Sequence, residues 1–375
     1  MLRRGLRINH FSRRFSSTVK EIDYKLNGQD IPDDATVFSM VQPTGKFHLG
    51  NYLGATRAWK DLCDLKKDNQ RLVFGVADLH AITIPKQDVT EFRLFREEAL
   101  ASILSMGVDP EKAIVMHQSH IPQHSQLHWI LSTFTSMGYL NRMTQWKSKS
   151  NIHKNNVSEA DLGSVKLGLF SYPVLQAADI LLYKSTHVPV GDDQTQHLEL
   201  TRSLALLFNR TYKTNYFPVP VTTLTPTKKI LSLNNPEKKM SKSDPNQQGV
   251  IYVNDEPEQI TVKINKALTD NISDRFYYDN ENRPGVSNLI NIVSGIQRKE
   301  IPEIEKDISN INNYRDFKKY VSEIIIEELR TPRKNFKRLM KEPDYLKSIV
   351  DSGNRRARAI AEKNINDIMK IMGLN

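Results

Sequence analysis

From Thr36 to about Arg210 the chain reads as an α/β domain, a doubly wound parallel sheet of Rossmann type, and the remainder toward the C-terminus reads as a smaller α-helical domain. Three observations predict this. Short apolar runs alternate with longer stretches whose apolar residues recur three and four apart, the rhythm of βαβ units. A glycine-bearing turn follows the first run and opens the first long helical stretch, as a ligand-binding βα loop does. Beyond Tyr212 a passage through Pro218, Pro220 and Pro226 breaks the rhythm, and only helical spacing returns after it.

Taken in order, the predicted strands are Thr36–Val41, Leu72–Ala77, Ala113–Gln118 and His187–Val190. A predicted helix follows each: Leu49–Leu65, Val89–Met106, Ser125–Met137 and Asp193–Phe208, each keeping one apolar stripe that can pack on a sheet. Met143–Leu169 is polar, rich in Lys, Ser and Asn, and carries Lys147, Lys149 and Lys154; a stretch this long without strand pattern predicts a helical insertion with a loop. Helices are then expected over Pro257–Leu268, Val286–Ser294 and Tyr314–Leu329, with a last basic one around Arg355, Arg356 and Arg358. The expected division is a sheet domain over 36–232 with its insertion near 143–169, and a helical domain over 233–375.

With 375 residues, 39% of them hydrophobic, the chain can bury a large core. No apolar run reaches the roughly 18 residues of a membrane span, so no membrane partner is expected. One cysteine, Cys63, excludes an internal disulfide and a cysteine-rich zinc site, and no structural metal is expected. The net charge of +10 is unevenly placed. Residues 1–20 hold Arg3, Arg4, Arg7, Arg13, Arg14 and Lys20 with no acid before Glu21, so removing them leaves only about +4. That segment also carries Ser12, Ser16, Ser17 and Thr18, with Leu2, Leu6, Phe11 and Phe15 spaced along one helix side, which is the pattern of a mitochondrial transit peptide. The expected destination is the mitochondrial matrix.

Two distant motifs carry the chemistry. Lys239-Met240-Ser241-Lys242-Ser243 places two ammonium groups on a polar loop. In Val41–Asn51, Gln42, Gly45, His48, Gly50 and Asn51 stand between the first strand and the first helix. Backbone N–H groups at such a helix start suit phosphate, His48 and Asn51 add hydrogen-bonding side chains, and the glycines allow close approach. The pair describes a site for ATP phosphates.

These motifs resemble the paired signatures of class I aminoacyl-tRNA synthetases, and the surrounding sequence is similar to the tryptophanyl enzymes of bacterial and mitochondrial type. The resemblance runs from Thr36 to the C-terminus, through QPTGKFHLGNYLGA (Gln42–Ala55), DLHAIT (Asp78–Thr83), MTQWKSKS (Met143–Ser150), SYPVLQAADILLY (Ser171–Tyr183), PVGDDQTQHLELTR (Pro189–Arg202), KKMSKSDP (Lys238–Pro245) and PGVSNLINI (Pro284–Ile292). It implies a two-step reaction: tryptophan's carboxylate attacks the α-phosphate of ATP, and the adenylate then esterifies the terminal ribose of tRNA(Trp).

The resemblance also implies roles. Lys239 and Lys242, with His48 and Asn51, serve catalysis at the phosphates, with Mg²⁺ bridging as ATP's partner. Gln42, Gly50, Met240 and Ser241 join the ATP site, as do Asp193 and Gln194 of GDDQ, where plain helix capping by Asp192 is the alternative. Lys149 is a further ATP candidate, equally read as a solvated lysine. Asp179 accepts the indole N–H, since a buried unpaired donor costs about 1–3 kcal/mol; its plain alternative is pairing with Lys184. Phe38, His80, Gln145, Gln176, Val188 and Val190 complete the tryptophan pocket. Gln176 departs from the methionine of many bacterial tryptophanyl enzymes and, with Tyr172 and Asp179, resembles the tyrosyl enzymes; Met40 replaces a more usual glycine.

RNA contact is expected on the helical part, at Arg330, Arg333, Lys334, Lys337, Arg338 and Lys341 and at Arg355, Arg356 and Arg358, with Phe336 and Tyr345 as stacking platforms. The family also implies a homodimer. A tyrosyl-tRNA synthetase and a non-catalytic RNA-binding protein on the same fold stay open as alternatives.

Overall fold

The computed structural model describes residues 31–150, 163, 165–191, 194–224, 230–242, 244 and 246–374. The expected leader, Lys154, Asp192, Asp193, Pro226, Ser243 and the side chain of Lys149 lie outside the described residues.

Five parallel strands form one sheet: β1 (Thr36–Val41), β2 (Arg71–Val76), β3 (Ala113–His117), β4 (His187–Val190) and β5 (Val221–Leu224), in the order β3-β2-β1-β4-β5. Pairing runs from Thr36 opposite Arg71 to Val41 opposite Val76, so β1 and β2 end level. The order reverses between β1 and β4, and the crevice at their carboxyl ends is where ligands bind in open sheets of this kind. All four predicted strands are present; β5 is the one missed. Its four residues, VTTL, follow Pro218 and Pro220 at the sheet edge, where nearby proline is tolerated and the pattern is too short to read.

The helix after β1 is not uniform: α1 (Leu49–Asn51) passes through a π turn (Tyr52–Thr56) into α2 (Arg57–Asp64). Then come α3 (Asp78–Ala81) and α4 (Val89–Ser105), the latter capped by Asp88 on Glu91 N at 2.8 Å. α5 (Gln123–Ser132) stops well short of the predicted Met137, because Ser132, Thr133 and Thr135 turn their hydroxyls back onto the carbonyls of His128, Ile130 and Leu131. Ser136 then caps α6 (Met137–Asn141), and α7 (Gln145–Lys149), α8 (Leu167–Leu182) and α9 (Thr195–Thr211) follow.

Beyond β5 lie α10 (Pro257–Asn265), α11 (Pro284–Gln297), α12 (Ile301–Asp307), α13 (Tyr314–Glu328), α14 (Arg330–Leu339) and α15 (Pro343–Ile371). Proline in the first turn starts α10, α11 and α15, where its missing N–H costs no helical bond. One apolar core begins at the stacked rings of Trp59 and Phe74, 4.6 Å apart, and continues into Val286, Ile290 and Val293 of α11. The other sheet face packs Phe38, Val73 and Met116 against α5, α8 and the last turns of α15. No helix among the described residues is long and apolar enough to cross a membrane.

α15 closes the open edge of the sheet. Gly353 lies so near β3 that a Cβ there would come within 1.8 Å of Val115 O. Asn354 Oδ1 accepts from His117 N at 3.1 Å, Arg356 donates to Pro110 O and Ala113 O at 2.8 and 3.3 Å, and Arg358 donates to His120 O at 2.6 Å. Arg356 and Arg358, expected at RNA, thus donate to carbonyls at the rim of the sheet while their side chains, like that of Arg355, stay exposed. Arg333 is also turned inward, 7% exposed, with Nε donating to Asp255 O at 2.6 Å. Arg330, Lys337 and Arg338 keep their charges at the surface beside Glu327, Glu256 and Glu342.

Candidate active site

The two motifs meet at the carboxyl end of β1. His48 caps α1 through Nδ1, which accepts from Asn51 N at 3.3 Å, while Asn51 Oδ1 accepts from His48 N at 3.2 Å. Burial, reinforced by the charges of Lys242 and Lys239, lowers the His48 pKa to about 3. The ring is therefore neutral at neutral pH, with Nδ1 as acceptor and the proton on Nε2. Gly50 cannot carry a side chain without crowding that ring, because its Cβ would stand 3.0 Å away.

Lys242 arrives from the other motif and donates to Thr44 Oγ1 at 2.9 Å and to Gly45 O at 3.1 Å, with its ammonium 5.0 Å from the centre of the Phe47 ring. Burial lowers its pKa to about 8, with Glu98 opposing the shift. Lys239 is exposed. The loop is pinned from behind: Leu231 and Lys239 form a β-bridge, Met240 N donates to Ile230 O at 3.0 Å, and the Met240 side chain is 1% exposed in the core. Met240, expected at ATP, also anchors the loop, since its side chain and N–H are both engaged inside the protein. Leu49 N to Ile251 O at 2.8 Å and Val253 N to Phe47 O at 2.9 Å bind the two motifs' flanks together.

Beside this lies a cavity of about 310 Å³. It brings together all seven residues expected to hold tryptophan, Phe38, His80, Gln145, Gln176, Asp179, Val188 and Val190, and it reaches Gln42 and Gln194 on the nucleotide side. Gly54 and Ala55 of the π turn form part of its wall, so the helix of the first motif borders both ends of the site. Met40, the departure in β1, also lines it.

Asp179 is fully buried. Its Oδ1 accepts from Gln118 Nε2 at 2.8 Å and from His124 Nδ1 at 2.6 Å; Oδ2 accepts from His80 Nε2 at 2.7 Å and Gln118 Nε2 at 2.9 Å. Burial by itself would raise the carboxyl, but the imidazoles of His124 and His80 outweigh it and hold the pKa below its usual value. Lys184 takes no part: its ammonium lies 3.9 Å over the ring of Tyr216. Gln118 is oriented from behind, since its Oε1 accepts from Leu79 N at 3.1 Å at the start of α3. His124 continues to Tyr183 Oη at 3.0 Å.

A second polar set closes the far wall. Tyr172 Oη donates to Gln145 Oε1 at 3.1 Å, Gln176 Nε2 donates to Gln194 Oε1 at 3.3 Å, and His197 Nδ1 stands 2.7 Å from Gln176 Oε1. Gln118, His124 and His197 escaped the sequence reading. The only signal was three polar residues inside otherwise apolar helical or strand-end patterns, which says nothing of what they face.

A family model described as tRNA synthetases class I (W and Y) matches residues 32–330. The chain belongs to this family. Within it, the chain is 68% identical over 367 residues to the mitochondrial tryptophan–tRNA ligase of Saccharomyces cerevisiae, covering 96% of this chain and 97% of that protein. It is 43% identical over 347 residues to the mitochondrial tryptophan–tRNA ligase of Schizosaccharomyces pombe, at 90% and 95% coverage. Among solved structures, the tryptophanyl-tRNA synthetase of Campylobacter jejuni, complexed with ADP and tryptophan, superposes with a TM-score of 0.73 at 31% identity, over 90% of this chain and 100% of that one. For this class I synthetase the likeness falls on the tryptophan side, and the activity is tryptophan–tRNA ligation; the tyrosyl alternative and the non-catalytic one give way.

Proposed function

We propose that the crevice is the single site at which tryptophan is activated with ATP before transfer to tRNA(Trp). The observation that carries this is the meeting of His48 and Lys242 beside a cavity floored by a buried, ionised carboxylate at Asp179. The indole occupies the apolar half between Phe38, Val188 and Val190, with its N–H directed to Asp179. Tyr172, Gln145, Gln176 and Gln194 receive the ammonium and carboxylate end, which sets the carboxylate toward the α-phosphate. His48 Nε2–H, Asn51, Gln42, Ser241 and the backbone at Gly50 meet the phosphates and ribose, with Asp193, Gln194 and Lys149 as further contacts. Lys239 and Lys242 draw charge off the departing pyrophosphate as it develops. Mg²⁺ travels with ATP in this reading and supplies charge between phosphate oxygens.

A pocket that fills with a bicyclic ring and pairs its N–H rejects smaller amino acids without a second editing site. The helical part, 233–375, takes the tRNA, chiefly through Arg330, Lys334, Lys337, Arg338 and Lys341. A homodimer belongs to this reading as the commonest closed symmetry, and Trp129, Met137 and Leu206 are exposed apolar side chains open to such a contact. The basic residues 1–20 direct the protein to the mitochondrial matrix.

Exchange of labelled pyrophosphate into ATP is expected with tryptophan and not with tyrosine. Exchange that depends on tyrosine instead, or no exchange with either, overturns the assignment.

A further inference from the structure

Among the described residues, His197 touches the tyrosine and two of the three glutamines that line the amino-acid end while lining none of it itself. It is fully buried in the first turn of α9. Nδ1 lies 2.7 Å from Gln176 Oε1 and 3.2 Å from Gln194 Oε1, and Nε2 lies 3.4 Å from Tyr172 Oη. The ring of Tyr172 meets that of His197 edge to face, 5.2 Å between centres.

The donor and acceptor inventory fixes what these contacts are. Two amide oxygens facing one ring nitrogen can only accept, so Nδ1 bears the proton and is shared between them. Nε2 faces the Tyr172 oxygen, whose own proton goes to Gln145 Oε1 at 3.1 Å. Gln176 Nε2 donating to Gln194 Oε1 at 3.3 Å agrees with the same amide orientations. Turning either amide over would set an NH₂ group against the Nδ1 proton, or strip Gln176 of its acceptor.

We propose that His197 is a positioning residue for tryptophan. It holds the amides of Gln176 and Gln194 and the hydroxyl of Tyr172 in one polarity, so that they meet the substrate's ammonium and carboxylate already oriented. Gln176 carries much of this arrangement: its Oε1 takes the shorter of the two Nδ1 bonds, and a thioether in its place would offer only a weak acceptor. The inference rests on the reading of this crevice as the tryptophan site.

The experiment compares the protein with His197→Asn, His197→Gln and His197→Leu in tryptophan-dependent pyrophosphate exchange, measuring KM for tryptophan and for ATP separately. An asparagine amide can stand near Nδ1 and keep the donor, while a glutamine amide reaches toward Nε2 and does not. The expected result is a tryptophan KM within about threefold of the parent for Asn and raised about tenfold or more for Gln and Leu, with the ATP KM within about twofold throughout. Melting temperatures identify any variant that fails to fold, and Gln against Asn decides the matter if Leu does. Equal tryptophan KM values for Asn and Gln, or an ATP KM that rises with the tryptophan KM, overturn the proposal. Absence of exchange in the unaltered protein would instead remove the reading of the crevice, so the two failures are distinct.

Discussion

The amino-acid end and the phosphate end of the crevice are built on opposite principles. At the first, Asp179 and its partners Gln118, His80 and His124 are all buried, and four hydrogen bonds of 2.6–2.9 Å hold the carboxylate still. At the second, Lys239 is exposed and Lys242 rests on one hydroxyl and one carbonyl. An indole must be told apart from a phenol, and discrimination needs groups that are in place beforehand and unsatisfied by the wrong partner. A triphosphate must be gripped while its charge moves and then released as pyrophosphate, which suits point charges carried on a loop.

The comparison breaks most sharply at Asp179. Asp179→Asn keeps the shape but replaces one accepting oxygen by an NH₂ group that faces donors from His80, Gln118 or His124. The expected effect is a fall of about 100-fold in kcat/KM for tryptophan, the cost of losing a charged buried acceptor, with ATP KM nearly constant. Parallel losses for both substrates in steady-state exchange kinetics would show that this end is merely structural. Lys242→Ala should come next, lowering kcat for adenylate formation about 30-fold while tryptophan KM stays within about twofold. An unchanged single-turnover rate would take Lys242 out of the chemistry.

The same lysine makes a pH prediction with two opposite signs. Its pKa in the folded protein is about 8 against an ordinary 10.5. Activity that needs the ammonium therefore falls as pH rises through about 8, and Lys242→Arg should move that limb upward, because a guanidinium keeps its proton. Stability goes the other way. Between about 8 and 10.5 the unfolded chain binds more protons at this position than the folded one, so the lysine's contribution to stability rises with pH across that window. Rate profiles and melting curves on one buffer series separate the two; a rate that stays level to about pH 9.5 contradicts the assignment.

How much of this was legible depends on the range of each interaction. The strands β1 to β4 and both phosphate motifs are local patterns, and local patterns are readable in a sequence. Asp179 was placed by the resemblance, and a carboxylate in an apolar helix is conspicuous enough to agree with it. Its partners could not: His124 and Gln118 are 55 and 61 residues away in the chain, and only the fold brings them to it. That Arg356 and Arg358 also reach carbonyls at the rim of the sheet was hidden for a related reason, since a charged helix face reads alike whether it meets water or a neighbouring element. The anchoring by Met240 was hidden differently, because a motif marks which segment serves the nucleotide without saying which of its groups also fasten the loop.

The smallest expected effect lies behind both ends, where the helix of the first motif is held by the helical part of the chain. Tyr52 Oη donates to Glu328 at 2.5 Å, Arg57 donates to Gly295 O and Ile296 O at 2.6 and 2.7 Å at the end of α11, and Arg298 grips both oxygens of Asp61 at 2.7 Å. If only the phosphate end has to move, these ties should affect it and leave the tryptophan pocket alone. Tyr52→Phe removes one bond to a carboxylate that keeps Arg57 nearby, so the stability loss should be about 1 kcal/mol and the change in kcat below about threefold. The informative quantity is the pattern. A small change confined to kcat and ATP KM fits a brace for the nucleotide side, whereas a rise in tryptophan KM would mean that the brace reaches through the π turn at Gly54 and Ala55 into the pocket wall, and the two ends would no longer be independent.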